Sequence, residues 1–386
     1  MKRALTVCLM LIALTNLAGC QTVGNLWDDF FSSSKKSLPA PLVQFNPSID
    51  IKTRLSASIG SAAGSIFSPA LTKDGVFAAN YDGKLARFDA DTLKEKWRID
   101  TGKKLTGGVG AADNLVVVGT GKGDVLAYDF DGKALWQAKV TSEILSAPQI
   151  AAGLVFVRSG DGRIFALSAT DGKRKWLYQR ATPALTVRSY GGVLLDKNAL
   201  FAGFSGGKLV ALESETGGLG WEASVALPRG VSELERIADV TSNPVSDGRI
   251  VCAVAYQGRV ACFEPQSGNV IWARDLSSIA GMTIDARNVY VSDANGVVHA
   301  LDKNSGAYVW KQEKLTYREL SAPLIYRGYI VVADLQGYVH FLSREDGDFA
   351  ARVATDGSPI RAQPQALGDG VLVQSKSGGL FVLGLN

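Results

Sequence analysis

His299 and His340 are the only two histidines in the chain. Each stands three residues after a glycine, Gly296 or Gly337, in the same sequence context. Imidazole suits proton transfer near neutral pH and metal ligation. Equivalent positions in successive repeats could bring the two rings together. Two imidazoles without matching carboxylates or thiols make a thin metal site, however, and strand positions set by a repeat account for them better. Cys252 and Cys262 lie on two apolar runs joined by a turn at Gln257-Gly258, and a three-residue loop at 256–258 would set them facing each other. Two alternatives stand: a cross-strand disulfide in an oxidising compartment, or two buried thiols. Geometry decides between them. The remaining chemistry is thin. No Gly-x-Ser-x-Gly sits on a strand-to-helix turn, and no acidic ladder of a calcium loop precedes the Asp-Gly pairs. The stretch Gly119-Thr-Gly-Lys-Gly123 lacks the P-loop pattern and its following helix. The expectation is a chain with no catalytic residues, no metal site and no cofactor.

The other two cysteines belong to the N-terminus. Lys2 and Arg3, an apolar run from Ala4 to Leu14, and Leu17-Ala18-Gly19-Cys20 have the order of a secretory signal. The run is too short for a permanent membrane span. The tetrad resembles the bacterial lipobox, which implies cleavage before Cys20 and lipidation of its thiol. Two or more acyl chains anchor stably. Gln21 replaces the Asp that retains such proteins at the inner membrane, so the outer membrane, periplasmic face, is the expected location. Loss of residues 1–19 removes Lys2 and Arg3 and no acids, lowering the formal charge from +4 to about +2. Residues 20–47, with their serines, lysines and prolines, read as a lipidated N-terminus and flexible tether. Trp27, Phe30 and Phe31 interrupt its polar character.

From residue 48 to 386 one unit recurs. Trp97, Trp136, Trp176, Trp221, Trp272 and Trp310 each end a phrase such as LSATDGKRKW (167–176) or LDKNSGAYVW (301–310). LSREDGDFAA (342–351) has the same shape, with Ala351 in place of Trp. Each phrase follows a glycine and a short strand. Those glycines are Gly83, Gly123, Gly162, Gly207, Gly258, Gly296 and Gly337, with Gly379 as an eighth. Within one unit the runs 144–150, 154–158, 163–167 and 173–178 read as four strands, separated by Gly and Asp-Gly turns. A single four-stranded sheet cannot bury both faces, whereas radially stacked sheets cover one another. The fold class is therefore all-β, an eight-bladed β-propeller with four-stranded antiparallel blades. The last copy ends after its third strand, and Ile49 to Ile59 is the candidate to pair with it and close the ring. The repeated Trp is expected to wedge between blades as packing.

Two consecutive intervals between a Trp and the next repeat glycine are long: 31 residues after Trp176 and 37 after Trp221, against 24 to 28 elsewhere. Rigid blades send extra residues to loops, and neighbouring blades place both additions close together. In the second, Ser232-x-x-Glu235 matches a capping box, and Val231, Leu234 and Ile237 have helical spacing. The first sets Leu185 and Val187 beside Arg188. Together they read as a partner-binding surface. The modest charge and the lack of a Lys/Arg cluster speak against nucleic acid.

The phrase resembles the repeat of pyrroloquinoline-quinone enzymes, which also occurs in propellers that hold no cofactor. A lipobox followed by eight such blades, with LTVRSYGG (185–192) and SELERIADVTSNP (232–244) in the long loops, resembles the BamB family of outer-membrane protein assembly lipoproteins. That resemblance implies a non-catalytic scaffold of the β-barrel assembly complex that helps fold and insert outer-membrane proteins. It implies docking of BamA through a periplasmic domain, with Leu185, Val187 and Arg188 in one contact loop and Glu235, Arg236 and Asp239 in the other. Nascent outer-membrane proteins would be further partners. Family members often carry an acid where this chain has Thr241, which bears on the polar contacts. Two alternatives remain: a quinone-dependent periplasmic dehydrogenase, against which stand the missing adjacent cysteines and capping insertion, and a propeller that binds cell-wall glycan or another ligand.

Overall fold

A computed structural model describes residues 38–385. Short runs rich in Val, Ile, Phe and Ala, punctuated by Gly turns, form thirty-two strands in eight four-stranded antiparallel sheets, and no helix occurs among the described residues. Blades 1 to 7 span residues 70–100, 105–139, 149–179, 194–224, 245–275, 281–312 and 324–354. Blade 8 joins Gln365–Leu367, Gly370–Gln374 and Gly379–Leu385 to Ile51–Ser58 from the other end of the chain. The ring closes as expected, with Ile51 opposite Leu385 and Ser58 opposite Gly379. First strands of neighbouring blades touch and so lie innermost. Second and third strands are buried on both faces, as in Val76, Phe77, Ala78 and Ala79. Fourth strands form the rim and alternate between exposed and covered residues.

The first strand of blade 3 is shorter than its sequence reading. It covers Gln149–Ala151, whereas 144–150 was the expected run. Pro148 has no N–H to give a ladder. The residues before it turn instead toward blade 2, where Thr106 Oγ1 donates to the Ile144 carbonyl at 2.7 Å.

The repeated phrase has a physical basis that spans two blades. Each Trp indole N–H donates to a carbonyl in the turn before the fourth strand of the next blade. Trp97 reaches Phe130, Trp136 reaches Ala169, Trp176 reaches Ser214, Trp221 reaches Pro265, Trp272 reaches Lys303 and Trp310 reaches Arg344, all at 2.7–3.0 Å. The glycine of that same turn lies against the ring. A Cβ on Gly306, for example, would sit 2.4 Å from Trp272 Cε3, and its φ of +66° independently favours glycine. The Gly and the Trp of the phrase therefore serve different seams: the Gly receives the Trp of the preceding blade. This is packing, as expected for the repeated Trp.

The exceptions follow from the same rule. Blade 8 has no turn between its third and fourth strands, because those strands come from opposite chain ends. A Trp at position 351 would find no carbonyl there, and Ala351 stands instead, with Ile51 and Ile49 filling the seam. Blade 8 also sends no Trp to blade 1. Leu93 occupies the glycine position of blade 1 and packs with Ile59, Leu380 and Val382.

Residues 40–47, which fall at the end of the expected tether, lie along the rim of blade 7. The Ala40 N–H donates to the Thr316 carbonyl at 2.9 Å, and the Ser48 N–H to that of Ala350 at 2.9 Å.

Candidate partner-binding surface

Antiparallel order within each blade puts all connectors from a fourth strand to the next blade on one face of the ring. The two long ones are 180–193, leaving blade 3, and 225–244, leaving blade 4. They are laced together. Asp239 is buried, with 3% of its surface exposed. Its carboxylate accepts the Val187 N–H at 2.7 Å and the Gly206 N–H at 2.9 Å. Ser189 Oγ donates to the Thr241 carbonyl at 3.3 Å, and the Gly192 N–H to Asn243 Oδ1 at 2.6 Å. Beneath them Arg158 donates to the Gly191 carbonyl at 3.0 Å. Its guanidinium pKa falls to about 10, because burial opposes its charge more than Asp239 supports it. The Tyr190 hydroxyl donates to the Gly64 carbonyl at 3.2 Å. Gly64 lies in the connector between blades 8 and 1, three connectors away around the ring, so Tyr190 spans part of the mouth of the central channel.

The capping box is present. Glu235 accepts the N–H groups of Val231 and Ser232 at 2.8 and 3.0 Å, and Ser232 Oγ accepts that of Glu235 at 3.2 Å. Those two backbone donors hold the Glu235 carboxyl below its usual pKa. No helix follows. The Arg236 N–H reaches the Ser232 carbonyl at 3.1 Å and that of Ile237 the Leu234 carbonyl at 3.4 Å, which makes one turn. Asp239 is already fixed to the other loop, and so short a segment does not repay helix nucleation.

The six residues read from the sequence thus sort by environment. Leu185 is 44% exposed and Arg188 and Arg236 are exposed. Val187 is half-buried, Glu235 caps its own turn, and Asp239 is an internal clamp. Arg188 pairs with Glu143 at 2.8 Å and lies over the Tyr190 ring. The Thr241 side chain is buried, so the departure from the family's acid falls inside the structure rather than on its surface. Leu227, Val231 and Leu234 of the second loop are exposed by 59%, 100% and 68% and add apolar surface to the laced pair. Glu143 and Arg158 lie outside the two quoted loop segments, and Asn243 lies within 232–244 but is not among the six residues. No motif marks them, although Asn243-Pro244 is a turn signal.

Elsewhere the chemistry is internal. His299 Nε2 bonds Asp293 at 3.0 Å and His340 Nε2 bonds Asp334 at 2.9 Å, each within its own blade. Among the described residues no group of three or more His, Cys, Asp or Glu side chains could hold a metal ion. Cys252 and Cys262 are register partners and form a disulfide, with Cα atoms 4.1 Å apart. Their hairpin turn, between strands ending at Val254 and starting at Arg259, is one residue longer than expected. Cys20, Trp27, Phe30 and Phe31 lie outside the described residues.

Comparison with known proteins agrees with this architecture. Residues 81–312 match the family model described as outer membrane protein assembly factor BamB. A relative of that name from Nitrosomonas eutropha is 45% identical, over all of this chain and 96% of its own. The crystal structure of BamB from Moraxella catarrhalis superposes with a TM-score of 0.81 at 27% identity, over 87% of this chain and all of that one. The quinohemoprotein alcohol dehydrogenase of Comamonas testosteroni gives 0.72 at 13% identity, over 89% of this chain and 78% of that one, a likeness of fold alone. With a family model covering more than half its length and a full-length relative at this identity, the chain belongs to the outer membrane protein assembly factor BamB family.

Proposed function

We propose that this chain is a non-catalytic scaffold of the outer-membrane β-barrel assembly machinery, held at the periplasmic face of the outer membrane by lipid on Cys20 after removal of residues 1–19. It docks BamA through the two laced loops and so assists folding and insertion of outer-membrane proteins. The observation that carries the docking site is the lacing. Loops bound to each other by Asp239, Ser189 and Asn243 present Leu185, Val231 and Leu234 with little freedom left to lose, which lowers the ordering cost of association. Leu185 and Val187 supply apolar contact, Arg188 and Arg236 supply charge, and Glu235 and Asp239 hold the shape.

The test is retention of BamA from solubilised outer membranes by the lipidated protein. Wild type is expected to bring down BamA, and folded Leu185→Ala/Arg188→Ala is expected to retain much less of it. Equal retention by the double variant refutes the site. A folded protein in the outer membrane that retains no assembly component refutes the function.

A further inference from the structure

Blade 7 carries a buried polar cluster that partner docking does not use. Arg318, in the connector from blade 6, is 2% exposed. Its Nε donates to Asp334 Oδ2 at 2.7 Å and its Nη2 to Gln336 Oε1 at 2.6 Å. His340, fully buried, donates from Nε2 to the same Asp334 oxygen, which leaves Nδ1 to accept from Arg352 Nε at 3.3 Å. One buried carboxylate thus holds Arg318 directly and Arg352 through His340, and each guanidinium has one donor that reaches outside blade 7. Both donors end on residues near the N-terminus: Arg318 Nη1 on the Ala40 carbonyl at 2.9 Å, and Arg352 Nη1 on the Val43 carbonyl at 3.0 Å. The Phe45 ring stacks on Phe349 at 5.1 Å, with Arg352 over both rings.

We infer that the rim of blade 7 is a docking groove for the chain's own residues 40–48, a latch that sets where the preceding chain leaves the propeller. The occupant is specified by backbone carbonyls at 40 and 43 and an aromatic ring at 45. The exit point follows from the Ala40–Thr316 bond. Thr316 lies in the connector from blade 6 to blade 7, on the same face as the two partner loops. The latch therefore brings Ala40, its first residue, to the face that carries the two partner loops. With lipid on Cys20, as proposed above, residues 20–39 reach at most about 70 Å, and release to residue 48 would add about 30 Å. The latch itself does not depend on the lipid, and its test is made on the mature chain without it.

The experiment is hydrogen exchange, read by mass spectrometry on peptides covering 40–49 and 329–333. Wild type is expected to exchange the Ala40 and Ser48 amides at least about tenfold more slowly than an unstructured peptide. The variant Ala40→Pro/Phe45→Ala changes only the latch and leaves every blade 7 side chain in place. It is expected to lose the protection at Ser48 while 329–333 stays protected. Wild-type exchange at the unstructured rate across 40–48, or full protection of Ser48 in the variant, overturns the inference. Phe45→Tyr keeps the ring and is expected to keep the protection. Its loss in that variant would also count against the aromatic docking.

Discussion

Asp239→Ala separates a residue that holds the docking surface from one that touches the partner. The carboxylate is buried and accepts two backbone N–H groups from a different loop and from the blade 4 turn. Hydrogen bonds to a charged acceptor contribute about 1.5–3 kcal/mol each. Alanine removes both and leaves Arg158 without its nearby negative charge, so a local loss of about 3–5 kcal/mol is expected, taking non-additivity into account. Neither loop is part of a blade ladder, so the loss should appear as loop opening rather than unfolding of the ring. Affinity then falls in proportion to the fraction of molecules whose loops remain closed. Asp239→Asn keeps one acceptor oxygen and should lie between wild type and Asp239→Ala. The assay pairs BamA affinity with exchange of the Val187 and Gly206 amides. Asp239→Ala is expected to lose affinity by more than about tenfold and to deprotect both amides. Leu185→Ala is expected to lose affinity with both amides still protected. Wild-type affinity and protection in Asp239→Ala would refute the clamp. Lost affinity with both amides still protected would make Asp239 a contact residue instead.

Four further outcomes follow from the same structure. Trp272→Ala empties a seam and strands the Lys303 carbonyl, and should cost about 3–5 kcal/mol in urea unfolding. Ala351→Trp should give no gain in the same assay, because blade 8 offers its indole no turn to bond; a gain of the size lost at Trp272 would refute that account. Replacing Cys252 and Cys262 with alanine opens a loop of ten residues and should lower stability by about 2–3 kcal/mol, an effect that reduced wild type should approach. Acid should weaken the chain early through His340. Burial lowers its pKa against the support of Asp334, and Arg352 and Arg318 lower it further, with the Tyr338 and Phe349 rings alongside. Its folded pKa lies below the unfolded value of about 6.5, so the unfolded chain binds the proton first. Stability then falls as pH drops below about 6.5. Urea midpoints at pH 7.5 and 5.5 should differ less in His340→Gln than in wild type, and equal differences would refute the assignment.

What was legible in the sequence divides along a physical line. The glycines, the Asp-Gly turns and the Trp phrases act within a few residues of their own position, or at a fixed offset in the next repeat. The blade count, the closing strand and the two long loops could therefore be read directly. Even the irregular positions obey that logic: Ala351 and Leu93 flank the one blade assembled from both chain ends. The resemblance sets Asp239 in a contact loop, and nothing local distinguishes an exposed loop carboxylate from one folded back on Val187, 52 residues away. Val231, Leu234 and Ile237 have the spacing of a helix face, yet spacing carries no information about the clamp that stops the helix after one turn. The blade 7 cluster was hidden for the same reason. Arg318 and Ala40 are separated by 278 residues, and they meet only because the ring closes. Local patterns thus set the scaffold, while the polar groups that shape its surfaces are paired by closure, which explains why the fold was readable to the strand and the roles of individual site residues were not.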